Sequence, residues 1–133
     1  ACAAKYGIPD ARTDHTRYNL GLALATRGRK HEAITEYRLA LQQNPRHYQA
    51  CNNLGWELLQ RDVVEEAIQW LERAIEIDPG QHFAYCNLGF ALERQGRFGQ
   101  AADAFRRALQ IAPNHVAARE GLRRVEGRAD PQG

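Results

Sequence analysis

The sequence predicts an all-α fold, a solenoid of stacked helix-turn-helix units closed by a C-terminal capping helix. Two observations carry this. The tripeptide Asn-Leu-Gly stands at Asn19-Leu20-Gly21, Asn53-Leu54-Gly55 and Asn87-Leu88-Gly89, a constant period of 34 residues. A period of that size marks stacked copies of one unit rather than a single globular core. Within each period, apolar and small residues recur at the spacing of one helical face, and do so again after a short break.

Taken in order, residues 1–13 carry Ala3, Ala4 and Tyr6, which suit the end of an upstream helix stopped by Gly7 and Pro9. The units follow at 14–47, 48–81 and 82–115. The first helix of each is marked by Leu20, Gly21 and Leu24, then Leu54, Gly55 and Leu58, then Leu88, Gly89 and Leu92. With Arg17 ahead, these are the offsets of one helical face. The second helix shows Ala33, Ile34, Tyr37, Ala40 and Leu41 in the first unit, matched by Ala67, Leu71 and Ala74 and by Ala101, Phe105 and Ala108. Gly28, Asp62 and Gly96 fall between the two helices, where a tight turn favours a residue tolerant of positive φ. Pro45, Pro79 and Pro113 end the units, because the residue before a proline is pushed out of the α region. Gly21 and Ala33 are small enough to let two helix backbones approach to roughly 8 Å. Residues 116–127 make a further amphipathic helix, with Val116, Leu122 and Val125 apolar against Arg119, Glu120, Arg123, Arg124 and Glu126. Such arrays need a polar cap of this kind. Residues 128–133 read as a disordered tail.

These residues resemble the tetratricopeptide repeat family, whose pattern places Leu-Gly, a large apolar residue, Ala, an aromatic, Ala and Pro through one 34-residue unit. The resemblance covers residues 14–115 and implies a right-handed superhelix. Departures are mild: Arg17 and Cys51 stand where the family prefers Trp, with only Tyr85 aromatic there, and Leu24, Leu58 and Leu92 replace the usual tyrosine.

Composition narrows the function. Eighteen basic and sixteen acidic residues leave a net charge of +2, too balanced to propose nucleic acid as a partner. No apolar run approaches the roughly 20 residues of a membrane span, and no signal-peptide pattern is read. The chain opens with Ala1 and lacks methionine, which suggests a piece of a longer protein. Cys51 is expected on a packed face and Cys86 toward the groove, as reduced thiols of a cytoplasmic protein. Two alternatives are a Cys51–Cys86 bridge and a periplasmic lipoprotein fragment, with Ala1-Cys2-Ala3 the remnant of its cleavage site. His15, His47, His82 and His115 all open first helices, on the order of 10 Å apart. Zinc ligands must converge to about 2 Å from one ion, so polar loop roles are expected and no metal. Neither a nucleophile with its base, nor paired carboxylates at helical spacing, nor a phosphate-binding loop is found. No catalysis and no cofactor are expected.

Function is then expected from the concave groove that the family resemblance implies, lined by the first helices. Its groove-facing places fall here on Tyr18, Asn52 and Cys86, on Leu22, Trp56 and Phe90, on His15, Gln49 and Phe83, and on pairs such as Glu93-Arg94. Leu22, Trp56 and Phe90 are large apolar residues one past a packing glycine, and an exposed apolar row usually marks a binding surface. Asn19, Asn53 and Asn87 add amides that both donate and accept, which suits the backbone of an extended peptide. Their recurrence resembles the asparagine ladder in the repeat superhelix of O-linked N-acetylglucosamine transferases, although asparagines here also suit bridging between helices. The expected peptide site is therefore Tyr18, Asn19, Leu22, Asn52, Asn53, Trp56, Phe83, Asn87 and Phe90. The family's carboxylate clamp would need lysine, asparagine and arginine where this chain has Tyr18, Leu22, Asn53, Phe83 and Asn87; only Asn53 fits. The expected role is a non-catalytic protein-binding scaffold. The alternatives are a homo-oligomer stacked end to end and the substrate-presenting arm of a larger enzyme such as a glycosyltransferase.

Overall fold

The computed structural model describes residues 13–128, so the expectations for residues 1–12 and 129–133 lie outside the described residues. Among the described residues, seven helices follow one another: α1 (Asp14–Thr26), α2 (Lys30–Gln43), α3 (Tyr48–Gln60), α4 (Val64–Ile77), α5 (His82–Arg94), α6 (Phe98–Ile111) and α7 (Val116–Glu126). They pack as hairpins α1/α2, α3/α4 and α5/α6, each second helix touching the next first helix, with α7 closing on α5 and α6. The first helices α3, α5 and α7 also touch in series, which is the inner row of an all-α superhelical repeat.

The turn inside each hairpin is closed in the same way three times. The Arg29 N–H donates to the Leu24 carbonyl at 2.8 Å and the Gly28 N–H to the Ala25 carbonyl at 3.0 Å. Val63 and Asp62, then Arg97 and Gly96, repeat this two-bond cap, which requires a residue in the left-handed region. Gly28 (φ 80°), Asp62 (φ 64°) and Gly96 (φ 77°) provide it. Between hairpins, Asn44, Asp78 and Ala112 leave the helix at φ −142°, −146° and −132° just ahead of the prolines. The clash with the following pyrrolidine ring causes this departure.

Hairpin packing turns on one glycine apiece. A Cβ on Gly21 would stand 2.6 Å from the Tyr37 ring, on Gly55 2.7 Å from Leu71, and on Gly89 2.6 Å from the Phe105 ring. The large side chain of each second helix therefore lies on bare backbone of the first. Tyr37 is 1% exposed, and Leu71 and Phe105 are fully buried. Phe105 also meets α7, where a Cβ on Gly121 would stand 2.5 Å from its ring. The capping helix is thus packed on the same apolar ring as the last repeat.

Candidate peptide-binding surface

The C-terminal halves of α3, α5 and α7 enclose a cleft of about 470 Å³. It is lined by Trp56, Leu59 and Gln60 of α3, by Phe90, Glu93 and Arg94 of α5, by Arg124 of α7, and by Arg128 just beyond. Trp56 and Phe90 reach it because each follows a glycine that faces the hairpin partner. One residue further on, the side chain has rotated by about 100° around the helix. Their rings meet edge to face at 6.2 Å. Phe90 in turn stands edge-on to the buried Phe105 at 5.2 Å, so the aromatic floor rests on the core.

Guanidinium groups rim the cleft. Arg124 donates from Nε and Nη2 to the two Glu93 carboxylate oxygens, each at 2.6 Å, and lies 5.7 Å from the Phe90 ring centre. Arg94 donates to Asp62 Oδ1 at 3.1 Å and to the Leu59 carbonyl at 3.4 Å. Arg128 sits 4.2 Å over the Phe98 ring. The expected tail begins at Arg128, whereas the structure stacks this residue on Phe98.

The asparagines join neighbouring helices. Asn87 Nδ2 donates to Asn52 Oδ1 at 2.9 Å, and Asn52 Nδ2 donates to Asn53 Oδ1 at 3.4 Å. The Asn53 amide lies beside Tyr18 and Tyr37 and opposes the upward push of burial on both phenols. Burial pushes Tyr37 up to about 12. Asn52 is only 9% exposed, whereas Asn19 stands exposed on α1.

A third cluster lies at the helix N-termini. The His15 and His47 rings stack at 5.8 Å, with Tyr18 at 5.0 Å from His47. His82 meets Phe83 at 3.9 Å and His115 at 4.8 Å. These distances correct the expected 10 Å spacing: side chains reach across the gap between helix axes. His47 is buried, and its Nδ1 accepts the Ala50 N–H at 3.1 Å. His115 Nδ1 likewise accepts the Ala118 N–H at 3.4 Å. The ring nitrogens thus cap helices. Among the described residues, no three His, Cys, Asp or Glu side chains converge as metal ligands would.

Of the expected site residues, Trp56 and Phe90 come together in the cleft, while Asn52, Asn53 and Asn87 form the bonded chain, with Tyr18 beside Asn53. Phe83 is half exposed at the histidine rim, seven residues or about 10 Å along α5 from Phe90. Leu22, partly buried on α1, is not part of the cleft lining. Cys86 does not open to a groove: it is 3% exposed. Its place in the unit faces the seam to the next first helix, as Asn52 does when it bonds Asn87 across that seam. Cys51 and Cys86 are free thiols, and burial pushes each up to about 11. Sequence reasoning missed Arg124 and Arg128 as cleft residues; their four-residue spacing was the available signal.

A solenoid of helical hairpins with an aromatic, guanidinium-rimmed cleft along its inner row is a helical-repeat module rather than an enclosed small-molecule site. The chain belongs to the tetratricopeptide repeat family: models of that repeat match residues 17–82 and 82–115. No curated protein matches the sequence. Among solved structures, the chain is similar to the TPR domain of OM64 from Arabidopsis at 24% identity and a TM-score of 0.84, covering 86% of this chain and 95% of that one. It is similar to the first TPR of Spaghetti (RPAP3), solved with the HSP90 peptide SRMEEVD, at 19% identity and 0.84, covering 89% and 94%. The Sgt2 TPR domain from Aspergillus fumigatus matches at 22% identity and 0.81, covering 90% and 83%. These are likenesses of fold. No helix among the described residues is long and apolar enough to cross a membrane.

Proposed function

We propose that this chain is a non-catalytic interaction module that holds a peptide segment of a partner protein across its inner row of helices. The observation that carries the reading is the Trp56–Phe90 pair, two aromatic side chains lining a solvent-open cleft and floored by the buried Phe105. Large rings on a rigid floor offer apolar area at little ordering cost, which is how interface anchors earn their dominance. The solved RPAP3 repeat with its bound peptide supports the general mode.

In this reading the asparagines divide. Asn52, Asn53 and Asn87 chiefly fix the helices relative to one another, since they bond side chains of their neighbours. Asn19, exposed on α1, keeps the backbone-reading role that the ladder resemblance assigns. Tyr18 and Phe83 extend the contact surface toward the histidine rim, and Leu22 extends it along α1.

Trp56→Ala is expected to weaken peptide capture by about tenfold or more, in line with the roughly 2 kcal/mol lost on truncating an anchoring aromatic. A peptide array probed with both proteins reads this directly. Equal binding by the variant on every peptide the parent retains would sink the proposal.

A further inference from the structure

We propose that α7, besides capping the array, forms a wall of the cleft and makes it selective for acidic peptide segments. Their carboxylate would meet Arg128 and Arg94, while an adjacent large apolar side chain rests on Trp56 and Phe90. This rests on the peptide-binding reading above and names the chemistry of its ligand.

The argument is one of unmatched charge. Three guanidinium groups border the cleft against one carboxylate, Glu93. Arg124 is satisfied, because Glu93 takes both of its donors in a forked pair. That pair fixes the wall and spends the single acid. Arg94 has only Asp62, a side chain that is 77% exposed, and a backbone carbonyl at 3.4 Å. Arg128 stacks on Phe98 and makes no ion pair with any described residue. Arg128, and Arg94 whose one carboxylate partner is exposed, therefore border a lining that also contains two aromatic rings. A planar guanidinium recognises a carboxylate through paired N–H donors, and the apolar rings lower the local dielectric and strengthen that attraction. A lysine-rich segment would meet like charge at the same place. Because the whole chain carries only +2, this is a local concentration and not a general basic surface. It also lies apart from Tyr18, Asn53, Phe83 and Asn87, the places of the family's carboxylate clamp.

The test begins with a random peptide library displayed on phage and panned against the full chain, Arg128→Gln and Trp56→Ala. One enriched peptide is then synthesised with a fluorophore, alongside a twin in which Asp and Glu become Asn and Gln. Anisotropy titration is expected to show the twin binding about fivefold more weakly, the upper range for a partly exposed ion pair. Arg128→Gln and Arg94→Gln should each narrow the gap between the acidic peptide and its twin, and added salt should erase it. Enrichment of peptides without acids, or an acid preference that survives both Arg128→Gln and Arg94→Gln, overturns the inference. In that event binding that still depends on Trp56 leaves the peptide-binding reading standing; loss of that dependence removes both. An unchanged thermal melt of Arg128→Gln shows that the fold is intact.

Discussion

Phe105 is held between two glycines, one on each neighbouring helix. Added Cβ atoms on Gly89 and Gly121 would stand 2.6 Å and 2.5 Å from its ring, so the ring cannot retreat from one without striking the other. Gly89→Ala is therefore expected to destabilise by about 2 kcal/mol, the usual scale of overpacking in a filled core. Urea unfolding measures it, and an unchanged midpoint would mean the ring has room to shift. The same neighbourhood explains the recurring asparagine. Gly121 occupies in α7 the place that Asn53 and Asn87 occupy in α3 and α5. Where the facing residue is Tyr37, the Asn53 amide lies beside its hydroxyl. Where it is Phe105, with no hydroxyl, a glycine lets the ring fill the space. The leucine and glycine of the tripeptide were legible from spacing, whereas the role of Asn53 depended on Tyr37 in the preceding helix and that of Asn87 on Asn52, 35 residues earlier.

At the scale of the element, the starts of α1, α3 and α7 are each set by one side chain, whereas α5 begins after Gln81 with no side-chain cap. Thr13, His47 and His115 each accept the backbone N–H three residues on, at 3.1, 3.1 and 3.4 Å. Only an unprotonated Nδ1 can accept, so α3 begins properly when His47 is neutral. Burial, reinforced by His15 and opposed by Asp14, holds His47 below its ordinary value; burial and His115 do the same to His82. A group with a depressed folded pKa binds fewer protons folded than unfolded. Its contribution is complete above about pH 6.5 and is lost as pH falls through the folded value. Thermal stability is thus expected to decline as pH falls below about 6.5. In His47→Asn, which can still cap through Oδ1 but does not titrate, the decline should be shallower. A slope identical in both proteins would show that His47 does not drive it. The helices themselves were readable from period and proline; their caps were not, since a histidine at a helix start reads equally as a loop residue.

The whole molecule is an open row in which each helix leans on its neighbours, so stability is local. Deleting residues 116–133 would uncover Phe105 and remove the Arg124 fork from Glu93. Hydrogen exchange should then quicken in α5 and α6 by about tenfold or more, with α1 and α2 little affected. Uniform quickening along the chain would instead indicate a single cooperative core. The deletion also strips one wall from the cleft, which couples the cap to binding in the same experiment.

By itself, the sequence determined the repeat, its hairpins and the residues that pack them. Those features depend on spacing within about one unit, where helical period, the φ restriction before proline and the need for small residues are all local physics. It also put Trp56 and Phe90 on one inner face. The tertiary structure alone decided that Leu22 stands outside the cleft, that Cys86 is walled in, and that Arg94, Arg124 and Arg128 converge on the two rings. Convergence of that kind depends on the angle and offset at which successive helices pack, and interlocking side chains across two hairpins and the capping helix set these together.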